Sequence, residues 1–175
     1  MDIKWFEKSG KEGDVVISSR IRLARNLQKI PFPIRMNEQQ KRQVRDNIVH
    51  AAKQSTNATL RNLIYIDMEQ VDKIEAVSMV ENHLVSPDFI SNPKGRGLLL
   101  SKDNSIAIMI NEEDHLRIQV MKEGMDLSAV YQLADQIDSA LNDTLHFAFD
   151  SELGYLRSEE RRVGKECRSR WSPYH

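Results

Sequence analysis

"GLLLSKDNSIAIMINEEDHLRIQVM" (residues 97–121) contains three apolar runs separated by two short polar segments. The first polar segment, residues 102–104, has the composition of a tight hairpin connection. The second, residues 112–114, consists of three consecutive carboxylates and is followed by His115. Both connections are much shorter than the crossover that parallel strands need. The stretch therefore predicts an antiparallel meander and not a series of strands alternating with helices.

Helical patterns lie on both sides of this meander in the chain. Asn37 is a good N-cap for a helix over residues 38–54, and residues 127–144 form the strongest helical pattern in the sequence. A further pattern begins at Val71 and ends before Pro87. The apolar residues expected on the inner faces of the three helices are, in chain order, Val44, Ile48 and Ala51; Val71, Ile74, Val77 and Leu84; and Val130, Ala134, Ile137 and Leu141.

Three further segments have the composition of strands. The β-branched run Val15–Ile17 begins a strand that continues through "SRIRLARNL" and stops before Pro31 and Pro33. "NLIYIDM" (62–68) predicts a second strand, and the alternating "HFAFD" (146–150) predicts the last one. Together the elements predict an α+β fold, in which an antiparallel β-sheet has helices packed on one side.

The composition excludes several classes of protein. The 175 residues are 40% hydrophobic and 29% charged, as in one ordinary globular domain. No apolar run is long enough to cross a bilayer, and "MDIKWFEKSGKEGD" at the start has no signal-peptide core, so we expect no membrane association. The single cysteine, Cys167, excludes an internal disulfide and a multi-cysteine zinc site, which favours a reducing, cytoplasmic location.

The last nineteen residues, 157–175, differ from the rest of the chain. They show no periodicity and contain six Lys/Arg and three Glu, so they contribute +3 to a net charge of −1 and leave −4 for the body. A mildly acidic body argues against a nucleic-acid partner. All nineteen residues match an in-frame translation of a common sequencing-library adapter, and we interpret them as an artefactual tail. A disordered basic tail and a nucleic-acid arm are the alternatives.

Two arginines on the first strand are candidates for binding an anion. Arg20 and Arg22 are two residues apart, so their side chains project from the same face of an extended strand. Two guanidinium groups on one face can hold phosphate oxygens, because each can donate two parallel hydrogen bonds. The alternative is a solvated strand face, which needs no ligand.

The acidic turn allows three interpretations. Glu112, Glu113 and Asp114 could form a solvated turn, bind a divalent metal or receive a cationic substrate. Adjacent residues on a strand diverge, so the three alone make a poor metal site. Arg117 lies one strand step further on and could reach an anionic phosphate. His83 and His115 are lone histidines, and such residues are more often structural than functional.

Four blocks of the sequence resemble the catalytic domain of the phosphagen (guanidino) kinases and occur in the same order. They are "SSRIRLARNL…PFP", "VENHLVSP", "INEEDHLRIQ" and "FAFDSELGYL". The resemblance covers residues 14–156 and implies an antiparallel β-sheet flanked by helices. It implies that this part of the domain is incomplete, because the family continues after "GYL" with an active-site cysteine and a second catalytic glutamate. Residues 1–13 are then an N-terminal lead-in.

The resemblance also implies roles for individual residues. The family uses ATP with Mg²⁺ and transfers the γ-phosphoryl group to a guanidinium nitrogen. Glu113 matches the catalytic carboxylate that grips and orients the guanidinium, with Glu112 beside it as support. No residue of this chain is assigned as a metal ligand. The positions that match nucleotide-binding residues are Ser18, Ser19, Arg20, Ile21, Arg22, His83 and Arg117.

Within the family the sequence is similar to the bacterial protein-arginine kinases. Only about a dozen residues precede the "SRIR" strand, too few for the helical domain that creatine and arginine kinases carry there. The resemblance implies arginine-bearing protein substrates, an activator protein, a Clp-type protease system, a role in the stress response and a homo-oligomer. We expect this chain by itself to be inactive as a kinase. A small-molecule guanidino kinase and a non-catalytic nucleotide or phospho-arginine binding module are the alternatives.

Overall fold

The computed structural model describes residues 10–158. Residues 1–9 and 159–175 lie outside this range, so most of the predicted lead-in and of the predicted tail remains a prediction. Within the described range the chain forms a large five-stranded sheet, a small two-stranded sheet, five α-helices and one short 3₁₀ helix. None of these helices is both long and apolar enough to span a membrane.

The elements follow one another along the chain as strands and helices of mixed length. The strands are β1 (Ser18–Arg25), β2 (Ile64–Asp67), β3 (Gly97–Leu100), β4 (Ile106–Ile110), β5 (Leu116–Glu123), β6 (Phe149–Asp150) and β7 (Gly154–Tyr155). The helices are the 3₁₀ turn Pro33–Arg35, α1 (Glu38–Gln54), α2 (Ala58–Arg61), α3 (Lys73–Glu81), α4 (Pro87–Ser91) and α5 (Leu127–Leu145).

The large sheet has the strand order β1-β5-β4-β3-β2, and all neighbours in it are antiparallel. Strands β3, β4 and β5 are consecutive in both the chain and the sheet, which confirms the predicted meander. Strand β1 comes first in the sequence but pairs with β5, with Ser18 opposite Glu123 and Arg25 opposite Leu116. This pairing places the arginine-bearing strand beside the strand that follows the acidic turn.

Helices cover both faces of the large sheet, so the prediction that they pack on one side was wrong. Strands β3 and β4 are buried at every position, and a strand that is apolar on both faces needs cover on both. Helices α1, α2 and α5 pack on what we call the first face, which includes Leu99, Ile108 and Ile118. Helices α3 and α4 pack on the second face, which includes Leu98 and Met109.

The two long helices agree with their predictions. Asn37 caps α1 in a capping box, because its side chain accepts from the Gln40 backbone N–H while the Gln40 side chain accepts from the Asn37 N–H. Asp126 caps α5 through the Ala129 N–H. The predicted inner-face residues of these two helices are all buried: Val44, Ile48, Ala51, Val130, Ala134, Ile137 and Leu141.

The first strand begins later than predicted. Val15 and Ile17 are 79% and 82% exposed, and the strand starts at Ser18. The backbone N–H groups of Val15 and Val16 both donate to the Glu12 carbonyl, so this segment forms a turn. A β-branched run outside the sheet has no neighbouring strand to pack against, and its intrinsic preference for a strand is therefore overruled.

The helix predicted from Val71 to Leu84 is shorter, and its apolar face is open. Helix α3 ends at Glu81, so Leu84 is buried from the turn that follows and not from the helix. Ile74 is 84% exposed and Val77 is 48% exposed, which contradicts their assignment to an inner face. The reason is that the helix packs on the sheet through Met79, which lies on another side of it.

The segment 146–150 does not add a strand to the large sheet. Phe147 makes only an isolated bridge with Leu27, and β6 pairs with β7 in a separate two-stranded sheet. Phe149 is 58% exposed, so the alternation of "HFAFD" reflects a half-exposed hairpin.

Candidate active site

The arginines of β1 divide between the two faces of the large sheet. Arg22 lies opposite Gln119 in the β1–β5 register, and Arg20 lies opposite Met121. Directly opposed residues project from the same side of an antiparallel pair. Arg20 and Arg22 therefore share the second face, as their spacing predicted. Arg25 has the opposite parity and lies on the first face.

The two arginines of the second face have few protein partners. Arg22 Nε donates to Gln119 Oε1 at 2.7 Å, and this is the only side-chain hydrogen bond of Arg22 to residues 10–158. The side chain of Arg20 makes no hydrogen bond or ion pair within that same range. Partial burial, followed by repulsion from Arg20 and Arg117, lowers the pKa of Arg22. A crowded set of cations of this kind attracts an anion.

Arg117 lies at the centre of the acidic turn. Its Nη1 is 2.7 Å from Glu112 Oε2, and its Nη2 is 3.1 Å from Glu113 Oε2. The same Nη2 is 3.7 Å from Asp114 Oδ2. One guanidinium thus neutralises part of three neighbouring carboxylates, and this is how the fold tolerates so much like charge beside buried strands.

The three carboxylates differ in exposure. The side chains of Glu112 and Asp114 are 3% and 1% exposed, whereas that of Glu113 is 18% exposed. Ser86, the N-cap of α4, donates to Glu112 Oε1 at 2.6 Å. Glu112 Oε2 accepts no hydrogen bond from the described residues, although the Arg117 cation lies beside it. Glu113 is therefore the carboxylate that a solute can reach, and Glu112 is held behind it.

A polar cavity of about 290 Å³ opens beside these carboxylates. Its lining includes Pro33, Ile34, Lys41, Arg96, Glu112 and Glu113. Arg96 donates to the backbone carbonyls of Asn111, Asp88 and Phe89, so it fixes the wall of the cavity. The cavity can admit a small cationic group to Glu113.

The arginine stripe and the acidic turn lie on the same face of the sheet. Arg117 is two residues from Gln119 on β5, so both side chains share the second face with Arg22. Arg117 is paired with Glu112 at 2.7 Å, and both charges act on the pKa of Arg22: Arg117 lowers it by repulsion and Glu112 raises it. The structure therefore places Arg20, Arg22 and Arg117 on one face of the sheet, with Arg117 paired to the carboxylates of the acidic turn.

The other residues predicted to bind nucleotide are placed differently. Ser18 is two residues from Arg20, so its side chain projects from the same face. The side chains of Ser19 and Ile21 project from the opposite face of the strand. Ser19 is buried, where its Oγ donates to the Gly124 carbonyl and accepts from the Asp126 N–H. Ile21 packs against the core of the first face. The side chains of Ser19 and Ile21 are thus used by the fold.

His83 lies in the turn after α3 and is exposed. Its φ is +58°, an unusual value for a residue with a side chain. The Gln119 Nε2 group donates to the His83 backbone carbonyl at 2.8 Å. This hydrogen bond ties the His83 turn to β5, next to Arg22.

His115 is structural, in agreement with its interpretation as a lone histidine. It is fully buried, its Nδ1 accepts from the Leu27 N–H at 2.9 Å, and its Nε2 lies 2.8 Å from the Pro31 carbonyl. These partners require a neutral ring with the proton on Nε2. Burial lowers the pKa of His115, which favours the same neutral form.

Sequence reasoning missed two buried amides that hold the site together. Asn26 donates to Asp114 Oδ1 at 2.7 Å and accepts from the His115 N–H at 2.9 Å, so it joins the end of β1 to the acidic turn. Gln119 joins Arg22 to the His83 turn. For Gln119 the available signal was a polar residue inside an otherwise apolar strand, since a buried amide needs partners; Asn26, just after β1, gave no such signal.

Comparison with known proteins gives the family. Residues 43–170 match the family model described as "ATP:guanido phosphotransferase, C-terminal catalytic domain". The chain is 41% identical over 167 residues to the protein-arginine kinase of Desulforamulus reducens, covering 95% of this chain and 47% of that protein. It is 39% identical over 165 residues to the protein-arginine kinase of Halothermothrix orenii, covering 94% and 46%. The chain thus spans about half the length of the curated relatives it matches.

Solved structures show the same fold. The substrate-free duplicated taurocyamine kinase from Schistosoma mansoni superposes with a TM-score of 0.75 at 25% identity, covering 85% of this chain and 22% of that one. A lombricine kinase superposes with a TM-score of 0.70 at 21% identity, covering 81% and 43%. The arrangement of an antiparallel sheet flanked by helices is therefore that of the guanidino kinases. From the family model and this fold together, we conclude that the chain belongs to the ATP:guanido phosphotransferase family.

Proposed function

We propose that this chain forms part of a kinase that uses ATP to phosphorylate arginine side chains of proteins. The observation that supports this most is the arrangement of charge on the second face. Arg20 and Arg22 are available to an anion, Glu113 is accessible to a cation, and Arg117 lies between the two groups. Phosphoryl transfer to a guanidinium needs both kinds of site within reach of each other.

The cationic side fits the phosphates of ATP. The Nη atoms of Arg22 and the whole guanidinium of Arg20 form no hydrogen bonds with residues 10–158, so they can donate to phosphate oxygens. Among these residues, no group of three His, Cys, Asp or Glu side chains is arranged to hold a metal ion. In our proposal Mg²⁺ is carried by the phosphates, where it neutralises part of their charge.

The acidic side fits the acceptor. Glu113 grips the substrate guanidinium and orients one nitrogen towards the γ-phosphorus, while Glu112 supports it from behind. A free guanidinium has a pKa above roughly 12, so a carboxylate cannot deprotonate it beforehand. The N–P bond forms as the bond between the γ-phosphorus and the oxygen of ADP breaks, and Glu113 takes the proton from the nitrogen. Arg117 can neutralise either the carboxylates or the phosphate oxygens.

The remaining parts of the proposal concern the acceptor, the cellular location and the partners. The proteins matched at about 40% identity are protein-arginine kinases, which supports arginine residues in proteins as the acceptor. We also propose a cytoplasmic protein that acts in the stress response as a homo-oligomer, with an activator protein and a Clp-type protease system. The resemblance stated above is the support for these partners.

Radiolabelled phosphoryl transfer tests the proposal. The full-length product of the parent gene is incubated with γ-labelled ATP and either an arginine-rich protein or free arginine. We expect acid-labile label on the protein and little on free arginine. Label on free arginine alone would instead identify a small-molecule guanidino kinase.

A pair of charge-neutralising variants separates catalysis from binding. Glu113→Gln removes the proposed proton acceptor, and we expect the rate to fall by about 10²-fold or more, the usual range for a general base. Glu152→Gln makes the same chemical change at an exposed site on the small hairpin and should leave the rate unchanged. An unchanged rate in Glu113→Gln would show that Glu113 is not the proton acceptor, and no phosphoryl transfer by the wild type would point to a non-catalytic binding module.

A further inference from the structure

The buried amide of Gln119 lies between two parts of the proposed nucleotide site. Gln119 is on β5, between β1 and β4, and is only 1% exposed. Its neighbours on the strand, Ile118 and Val120, are apolar and buried on the first face. A fully buried amide in such a strand is costly unless both of its ends are satisfied.

Both ends of this amide are satisfied by residues of the proposed site. Gln119 Oε1 accepts from Arg22 Nε at 2.7 Å, and Gln119 Nε2 donates to the His83 carbonyl at 2.8 Å. The oxygen can only accept and the nitrogen can only donate, so the two partners fix the orientation of the amide. One side chain thus connects β1 to the turn after α3.

The hydrogen bond to Arg22 determines which nitrogens face a ligand. A guanidinium donates through Nε along one edge and through its two Nη atoms at the end. Gln119 occupies Nε, so the two Nη atoms are the donors that remain for a ligand. An arginine held in this way loses less conformational entropy when it binds an anion than one that is free to rotate.

The second hydrogen bond of the Gln119 amide holds the His83 turn, which is the other part of the proposed nucleotide site. His83 has a left-handed backbone, and such a conformation persists only where its surroundings hold it. Gln119 supplies a hydrogen bond to the carbonyl of that residue, and His83 is exposed. The Arg22 guanidinium and the backbone of the His83 turn are therefore both held by one amide.

We propose that Gln119 is a positioning residue that sets the spacing between Arg22 and His83, so that the phosphates and the base of one nucleotide are bound together. This inference rests on the proposed function, because it takes ATP as the ligand. It goes beyond that function by assigning the selection of a nucleotide over a bare polyphosphate to a residue that does not touch the ligand.

The first experiment needs no ligand. The Arg22 Nε–H signal is followed by NMR in the chain labelled with ¹⁵N, and its exchange with water is measured. In the wild type we expect slow exchange, because the group is hydrogen-bonded. Gln119→Met has a similar volume and cannot accept the hydrogen bond, so exchange should become faster by about tenfold or more. Unchanged exchange in Gln119→Met would overturn the proposal, whether or not the chain binds ATP.

The second experiment compares two ligands, MgATP and magnesium tripolyphosphate, by calorimetric titration. We expect Gln119→Met to weaken MgATP by about tenfold and tripolyphosphate less, since only ATP also uses His83. Gln132→Met makes the same change at an exposed position of α5 and should bind like the wild type. Equal loss for the two ligands, or no loss, would contradict the proposed spacing role.

A second variant keeps the test valid if Gln119→Met does not fold. Gln119→Glu can still accept from Arg22 but cannot donate to His83. We expect the Arg22 Nε–H group to stay protected while the preference for MgATP over tripolyphosphate falls. An unchanged preference would overturn the proposal. If the wild type binds neither ligand, the proposed nucleotide site fails, and the exchange measurement still decides whether Gln119 holds Arg22.

Discussion

Arg22 and Arg25 lie three residues apart on β1 and have opposite environments. On the first face, Arg25 donates from Nε and Nη2 to the two carboxylate oxygens of Asp138, both at 2.9 Å, and its guanidinium lies 3.6 Å from the centre of the Tyr155 ring. On the second face, the Arg22 side chain has one hydrogen bond to the described part of the chain, through Nε. The same residue type therefore serves the fold on one side of the strand and is available to a ligand on the other.

This difference shows how a strand can separate stability from binding. A cation with a bidentate carboxylate partner in a buried site contributes to the free energy of unfolding. A cation surrounded by other cations raises the free energy of the folded state slightly, and a bound anion relieves that repulsion. Substitutions on the two faces should therefore change different measurements.

The largest effect is expected from Arg25→Ala. Its removal leaves the buried Asp138 carboxylate without its partner, and we expect a loss of about 3 kcal/mol in the free energy of unfolding. Urea denaturation measures this change. The double variant Arg25→Ala with Asp138→Asn should recover part of the loss, because no unpaired charge remains. A change below about 0.5 kcal/mol in the single variant would show that the pair does not stabilise the fold.

The second prediction, for Arg22→Met, is the opposite: we expect ligand affinity to fall while stability stays nearly the same. Arg22→Met keeps most of the apolar stem and removes the charge, so we expect the free energy of unfolding to change by no more than about 0.5 kcal/mol. The affinity for MgATP should fall by about tenfold, since a charged hydrogen bond is lost. Titration calorimetry and urea denaturation give the two values. A stability loss equal to that of Arg25→Ala would remove the distinction between the faces.

The third prediction concerns the dependence of stability on pH through His115, which binds the chain just after the end of β1. The pKa of His115 is lowered by burial, so the unfolded chain binds a proton at this residue more readily than the folded chain. The folded state should therefore lose stability as the pH falls below about 6.5, the ordinary value for histidine, and His115 should have no such effect above it.

Urea midpoints between about pH 8 and about pH 5.5 measure this dependence. His115→Gln removes the titrating group, so the decrease on acidification should be smaller in the variant than in the wild type. Identical pH profiles would show that protonation of His115 is not resisted by its burial and by the Leu27 N–H group that donates to Nδ1.

The smallest effect is expected at Ile74, on the helix that covers the second face. Ile74 is 84% exposed, so Ile74→Lys should change the free energy of unfolding by no more than about 0.5 kcal/mol. Met79→Ala, on the buried side of the same helix, should cost about 2 kcal/mol or more. A large loss of stability in Ile74→Lys would instead show that Ile74 lies on a buried face of α3, as the sequence pattern predicted.

Local patterns predicted the parts of the fold that have strong periodicity. The helices 38–54 and 127–144 and the meander 97–121 are present because their apolar residues recur at the spacing of one buried face. Val15 and Ile74 are apolar but exposed, since whether a face is covered depends on distant elements that a local window does not contain. The cover on both faces of the sheet was missed for the same reason.

The residues of the candidate site were predicted from their spacing along a strand and from the family resemblance. The residues that hold them in place were not predicted. The spacing of Arg20 and Arg22 gives their common face directly. The partner of each arginine depends on which strand pairs with β1, and that pairing joins residues about one hundred positions apart. For this reason the sequence could not distinguish Arg25 from Arg22 by partner, nor show that Gln119 and Asn26 hold the two halves together.

The position of β1 at the edge of the sheet has a consequence for folding. Strands β3, β4 and β5 are neighbours in both the chain and the sheet and are joined by short loops, whereas the segment between β2 and β3 contains α3 and α4. Strand β1 must close a loop of about one hundred residues to reach β5, which is entropically the slowest pairing. We therefore expect Arg20 and Arg22 to reach their native positions late in sheet assembly, and detachment of β1 would separate Arg22 from Gln119.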